Sequence, residues 1–187
     1  MKHPRTALIF SLVLLSGICS AQDWWADWDD PPQGWRDRIW FGGGLNVGFG
    51  TITAIQIDPV VGYKVDKQGR YSVGVGGSYW HYRDNTPGYS YRETGLGYRV
   101  FNRFRVVPPV FLHAEFLHLR VPVWSPTDRG FTNTWVPHLL VGGGYMQRIG
   151  GRSSIFVQLS YEVMQHPNSV YRFWRGPILG GGIGIGF

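Results

Sequence analysis

The chain has 187 residues, 27 of them glycine and one cysteine, with 16% aromatic residues and a formal net charge of +6. That length suits one domain, and so much aromatic and apolar content excludes a disordered chain. The basic balance does not read as a nucleic-acid footprint, because the arginines are scattered along alternating segments with no helix or compact patch to carry them.

The chain opens Met1-Lys2-His3-Pro4-Arg5, then runs apolar from Ala7 to Leu15, then Ser16-Gly17-Ile18-Cys19-Ser20-Ala21. A charged start, a short apolar run and small residues make an export signal over residues 1–21, with cleavage expected after Ala21. The run is too short to span a bilayer. Lipidation at Cys19 is disfavoured, since Ile18 stands where a small residue is wanted. Cleavage leaves no cysteine, and so no disulfide or thiolate chemistry. Losing Lys2 and Arg5 leaves a charge of +4.

Gln22 to Arg38 alternates acids with tryptophans: Asp23, Trp24, Trp25, Asp27, Trp28, Asp29, Asp30 and Trp35. Pro31 and Pro32 bar a helix. We expect an irregular periplasmic lead-in whose tryptophans sit at an interface, where an apolar ring with one polar N–H is favoured. Docking of a partner, or folding into a lumen, are the alternatives.

From Ile39 the apolar residues recur with period two. Eight strands are expected, over 39–49, 51–64, 71–83, about 91–101, 110–120, 135–148, 153–164 and 176–187. Each is long enough to cross a bilayer at a tilt. The last carries Leu179, Gly181, Ile183, Ile185 and Phe187 on one face and Gly180, Gly182, Gly184 and Gly186 on the other. Such a strand is poorly suited to water, but it suits a wall between lipid and a lumen. The first strand mirrors it, with Phe41, Leu45, Val47 and Phe49 against Gly42, Gly44, Asn46 and Gly48. Pro59 interrupts the second, which implies a bulge or a lost ladder hydrogen bond. The expected fold is all-β: an eight-stranded antiparallel up-and-down transmembrane barrel over residues 39–187, in the outer membrane of a Gram-negative bacterium. Phe187, a C-terminal aromatic on such a strand, resembles the targeting signal read by barrel-assembly machinery.

The connections fit that count. Those on the side of the termini should be short, and they are 66–69, 102 to about 108, and 150–152. Those on the other side are longer, at 84–90, 121–134 and 165–175, apart from a tight first connection near Gly50. Tyr79, Trp80, Tyr82, Tyr89, Tyr91, Trp124, Trp135, Tyr171 and Trp174 cluster toward the longer loops, as an aromatic girdle would.

The inward face is expected to carry Asp58, Glu93, Arg99, Glu115 and Glu162, with Gln158 and His113. An eight-stranded interior is just wide enough for side chains to fill, so its charges must pair. We expect Arg99 to meet Glu115, and Glu162 to join another cation such as Arg148. A lumen-filling ion-pair network is favoured over a catalytic carboxylate pair. The glycine faces of the first and last strands allow either close packing of large aromatics or a small cavity. The runs at Gly42, Gly142 and Gly180 precede neither a Lys-Ser/Thr pair nor a helix, so no phosphate loop is read. His113 and His118 are five apart and point to opposite faces of one strand. His81, His138 and His166 lie near strand ends, and no metal site follows from their spacing. His166 and Ser169 share a loop with no acid placed beside them, which leaves a lipid-modifying hydrolase as a lesser alternative.

The segments Phe41 to Gly50 and Val141 to Ser154, with Pro59-Val-Val-Gly-Tyr-Lys64, His113-Ala-Glu115 and Phe187, resemble a family of small outer-membrane barrel proteins of Bacteroidetes-type genomes. The likeness covers roughly Ile39 to Phe187, and its motifs are structural. The Trp-rich lead-in and the Arg105–Pro109 insertion depart from the pattern. Members sometimes carry an alpha-ketoglutarate decarboxylase label, which implies thiamine-diphosphate chemistry; the chain has no motif for it. The expectation is therefore a non-enzymatic, cofactor-free, monomeric barrel with a structural or surface-interaction role. A lipid-modifying enzyme and a narrow pore are the alternatives. Its partners would be outer-membrane lipid, lipopolysaccharide and the barrel-assembly machinery, with anionic head groups explaining the basic balance.

Overall fold

The computed structural model describes residues 32, 34–48, 52–84, 91–125, 129–171 and 176–186. The export signal, most of the lead-in, and Phe187 lie outside the described residues. A short 3-10 turn, Arg36–Arg38, leads into β1. The strands are β1 Ile39–Gly48, β2 Ile52–Lys64, β3 Tyr71–Asp84, β4 Tyr91–Val107, β5 Val110–Ser125, β6 Gly130–Gly150, β7 Ser153–Glu162 and β8 Ile178–Ile185. Each pairs antiparallel with its sequence neighbours, and β1 pairs with β8, so the sheet closes into an eight-stranded up-and-down barrel.

Alternation decides which side chains meet the interior. Leu45 and Leu179 are 70% and 73% exposed on the outside, whereas Trp40 is fully buried inside. Outward positions such as Phe41, Val75, Val100, Leu112, Val157 and Ile183 are apolar and exposed. The barrel is thus apolar outside, with its polar and charged strand residues turned largely inward.

The β1–β8 seam is short: Phe41, Gly42 and Gly43 face Ile185, Gly184 and Ile183. A Cβ on Gly182 would meet the Gly43 backbone, and one on Gly42 would lie 2.8 Å from the Ile183 carbonyl, so the glycine faces let the two strands close. Side chains reinforce the same end. Arg152 reaches the Asp37 carboxylate at 3.0 Å and the Gly186 carbonyl at 3.3 Å, and Lys64 Nζ donates to that carbonyl at 3.2 Å.

Three expectations about the strands are corrected. β4 runs through the expected 102–108 turn to Val107, and only Pro108-Pro109 turns before β5; the β4–β5 register shifts between Arg105 and Val107. The expected 121–134 loop is mostly a hairpin extension, with Val121 facing Thr134 and Ser125 facing Gly130. Pro122 and Pro137 fit there because the β4–β5 ladder ends at Arg120 and the β6–β7 ladder at Leu140, so each sits on a free edge. β7 stops at Glu162, two residues early. At Pro59 the register with β3 is the same on both sides, so no residue is inserted and only the ladder is interrupted.

Candidate functional site in the barrel lumen

The lumen is filled in three layers. At the end carrying the termini, Arg103 lies 4.3 Å from the Phe111 ring centre, 4.6 Å from that of Phe156 and 5.5 Å from that of Trp40. A buried guanidinium on aromatic faces gains attraction where water is excluded. The large rings need space that only glycine leaves. A Cβ on Gly62 would collide with the Trp40 indole, one on Gly74 with Phe101, and one on Gly144 would come within 2.5 Å of Phe111. Gly62, Gly74 and Gly144 are therefore packed against lumen aromatics.

The middle layer is ionic. Arg99 on β4 lies 2.7 Å from Asp58 on β2 and 3.2 Å from Glu115 on β5. Gln56 donates to Asp58 at 2.8 Å, Ser78 donates to Asp58, and Arg99 donates to the Ser78 hydroxyl at 3.0 Å. His113 Nε2 stands 3.0 Å from Glu115, completing a chain across four strands. One arginine stands between two carboxylates, and the buried Arg103, four residues along β4 from Arg99, brings a second cation into the lumen.

The third layer closes the loop end. Leu117, Leu119, Val121 and Val136 form an apolar cluster with Trp80, Val123 and Tyr171 packed on it. Trp80 and Tyr171 are thus interior groups, contrary to the expected girdle. Burial holds the Tyr171 phenol above its ordinary range. The segment after β7 is fastened here. Ser169 donates to the Glu162 carboxylate at 2.6 Å, Gln165 donates to the Glu162 carbonyl at 2.9 Å, and Tyr171 N–H donates to Ser169 at 3.1 Å.

The expected site residues fall as follows. Asp58, Arg99 and Glu115 come together, with His113 beside them. Glu93 is inward on β4, opposite Tyr82. The expected Glu162–Arg148 pair is contradicted: Glu162 faces Leu140 on β6, whereas Arg148 faces Ser154. Eight residues of one strand, about 26 Å, lie between those positions. Glu162 instead stands beside Ser169, the acid that the sequence reading found missing there. Ser169 is 2% exposed, and its hydroxyl donates to the carboxylate. His166 Nδ1 is taken by the Asn168 N–H at 3.1 Å. A serine nucleophile of the triad kind needs an accessible hydroxyl with an imidazole on its proton; the Ser169 hydroxyl is buried and bonded to Glu162, which ties the segment to β7. Among the described residues no group of three His, Cys, Asp or Glu side chains is placed to hold a metal ion. Sequence reading missed Arg103; its parity with the inward Arg99 was the available signal.

No protein-family model and no curated protein matches this sequence. Among solved structures, the chain is similar to the outer membrane protein Ail of Yersinia pestis, seen as a backbone structure in a phospholipid bilayer nanodisc. The two share 14% identity over 79% of this chain and 97% of that chain, at a TM-score of 0.44.

Proposed function

We propose that the protein is an integral outer-membrane barrel with a sealed lumen, serving the envelope structurally and presenting its loop end as a surface. One observation carries this reading: the outside of the barrel is exposed and apolar while the carboxylates of its strands are turned in. That arrangement is costly in water and favourable in lipid, where a closed sheet also satisfies its backbone hydrogen bonds. The short turns, the start of β1 and the end of β8 then face the periplasm, and the long β5–β6 hairpin faces outward. The filled layers favour a plug over a pore, and the buried, anchored Ser169 favours a non-enzymatic role over a hydrolase. In membranes the protein is expected to resist alkaline carbonate and to migrate differently on gels before and after boiling. Release by carbonate alone, or a single unshifted band, contradicts the reading.

A further inference from the structure

The short turn ahead of β1 is built across the short-turn end of the barrel. Arg38 donates to the Val65 carbonyl at 3.2 Å, beside the β2–β3 turn. Asp37 holds Arg152 of the β6–β7 turn at 3.0 Å. Arg152 and Lys64 share the Gly186 carbonyl, at 3.3 Å and 3.2 Å. A Cβ on Gly69, in the β2–β3 turn, would lie 3.3 Å from the Lys64 side chain. Arg36, Arg38, Lys64, Lys67, Arg70 and Arg152 are thereby gathered on one rim.

That rim carries little negative charge of its own. Among the described residues the carboxylates at this end are Asp37 and Asp66, and both are engaged. Asp37 takes Arg152 at 3.0 Å, and Asp66 accepts from the Arg70 and Tyr71 N–H groups at 3.0 Å and 2.8 Å. Arg38 and Lys64 donate to backbone carbonyls, which hold a cation less strongly than a carboxylate does. Arg36, Lys67 and Arg70 are exposed. Beside them the Trp35 indole is 64% exposed, with the Arg36 guanidinium 5.2 Å from its ring centre. An exposed indole among guanidinium groups offers a flat apolar face for a sugar ring and charge-assisted donors for carboxylates. The outward wall next to the rim stays apolar at Tyr63, Val65, Val106 and Ile149, so the cations stand on turns and on the inner side, toward water.

We propose that this rim binds the cell wall, taking the carboxylates of its peptide stems on the arginines and lysines and a glycan ring on Trp35. The inference rests on the membrane reading above, which turns this end to the periplasm, and it gives the structural role a partner. An exposed ion pair contributes little by itself. A polymer that repeats its carboxylate-bearing stems lets several such pairs act together, and arginine grips each carboxylate with paired hydrogen bonds.

The test sediments the full mature chain, held in uncharged phosphatidylcholine nanodiscs, with purified cell-wall sacculi at physiological salt. Sacculi whose stem carboxylates have been amidated are the matched probe. Apparent affinity is expected to be about tenfold higher for the untreated sacculi. Arg36→Gln with Lys67→Gln and Arg70→Gln should remove that difference, and Trp35→Ala should weaken binding to both probes about fivefold. The gel shift on boiling reports that each variant is folded. Arg92→Gln with Arg120→Gln and Arg129→Gln takes the same charge from the loop end and leaves the preference intact. Equal affinity for the two sacculi overturns the proposal, as does an unchanged preference in the rim variant. A rim variant that keeps its sacculi but loses phosphatidylglycerol from mixed nanodiscs assigns the rim to lipid head groups and overturns it too. A wild-type chain that carbonate strips from vesicles overturns the membrane reading as well, so the two failures are distinguishable.

Discussion

Ser169 donates a 2.6 Å hydrogen bond to Glu162, and both side chains are buried at the loop end of the barrel. Seven residues apart in sequence, they close the segment after β7 onto the strand it leaves. Ser169→Ala removes the donor and leaves a buried carboxylate short of a partner, at a cost of about 1–3 kcal/mol. Limited proteolysis of reconstituted protein should then cut within 163–171 faster than in wild type, with the strands intact. Glu162→Gln keeps an acceptor and should have the smaller effect. Equal cleavage in all three proteins contradicts the anchoring role.

Arg99 holds two carboxylates from two strands. Replacing it with methionine leaves Asp58 and Glu115 buried without their cation, and one-sided removal of a buried pair costs about 3–5 kcal/mol. Urea unfolding from lipid vesicles should show that loss. Adding Asp58→Asn and Glu115→Gln to Arg99→Met should recover much of it, because no charge is then stranded. A single variant as stable as wild type would show that the network contributes nothing.

The glycines of the inner wall make a different kind of prediction. Gly62→Ala places a methyl group against the Trp40 indole, and overpacking of this kind costs about 1–3 kcal/mol. Trp40→Phe should relieve part of it. A double-mutant cycle should therefore show coupling between the two sites. Strict additivity contradicts close packing there.

Sequence reading found the closed barrel and its polarity because period-two alternation survives in nearly every strand. It failed where alternation stopped being informative. In β4, inward Arg103 and outward Asn102 look like a turn, yet the strand continues because Arg103 is held among three aromatic rings from β1, β5 and β7. In the β5–β6 hairpin, two prolines mimic a loop, and their tolerance depends on neighbouring ladders having already ended. Arg99 and Glu115 were legible as partners because they share an inward face on adjacent strands. The Glu162–Arg148 pairing needed the register along β6, which composition does not carry. Asp58 joins Arg99 from two strands away, a contact made only when the sheet curls.

The central claim is that the outward face of this barrel lies in lipid. With Cys19 replaced by serine, the chain has no other cysteine, so a single nitroxide label can be placed at will. Neighbouring sites on one strand test the claim most directly: Val157→Cys and Gln158→Cys on β7, or Leu112→Cys and His113→Cys on β5. In reconstituted vesicles, labels at 157 and 112 should be readily reached by oxygen and shielded from a water-soluble nickel relaxant. Labels at 158 and 113 should be immobile and shielded from both. Equal exposure of neighbouring sites, or nickel access at 157 and 112, would contradict a lipid-facing wall around a filled lumen.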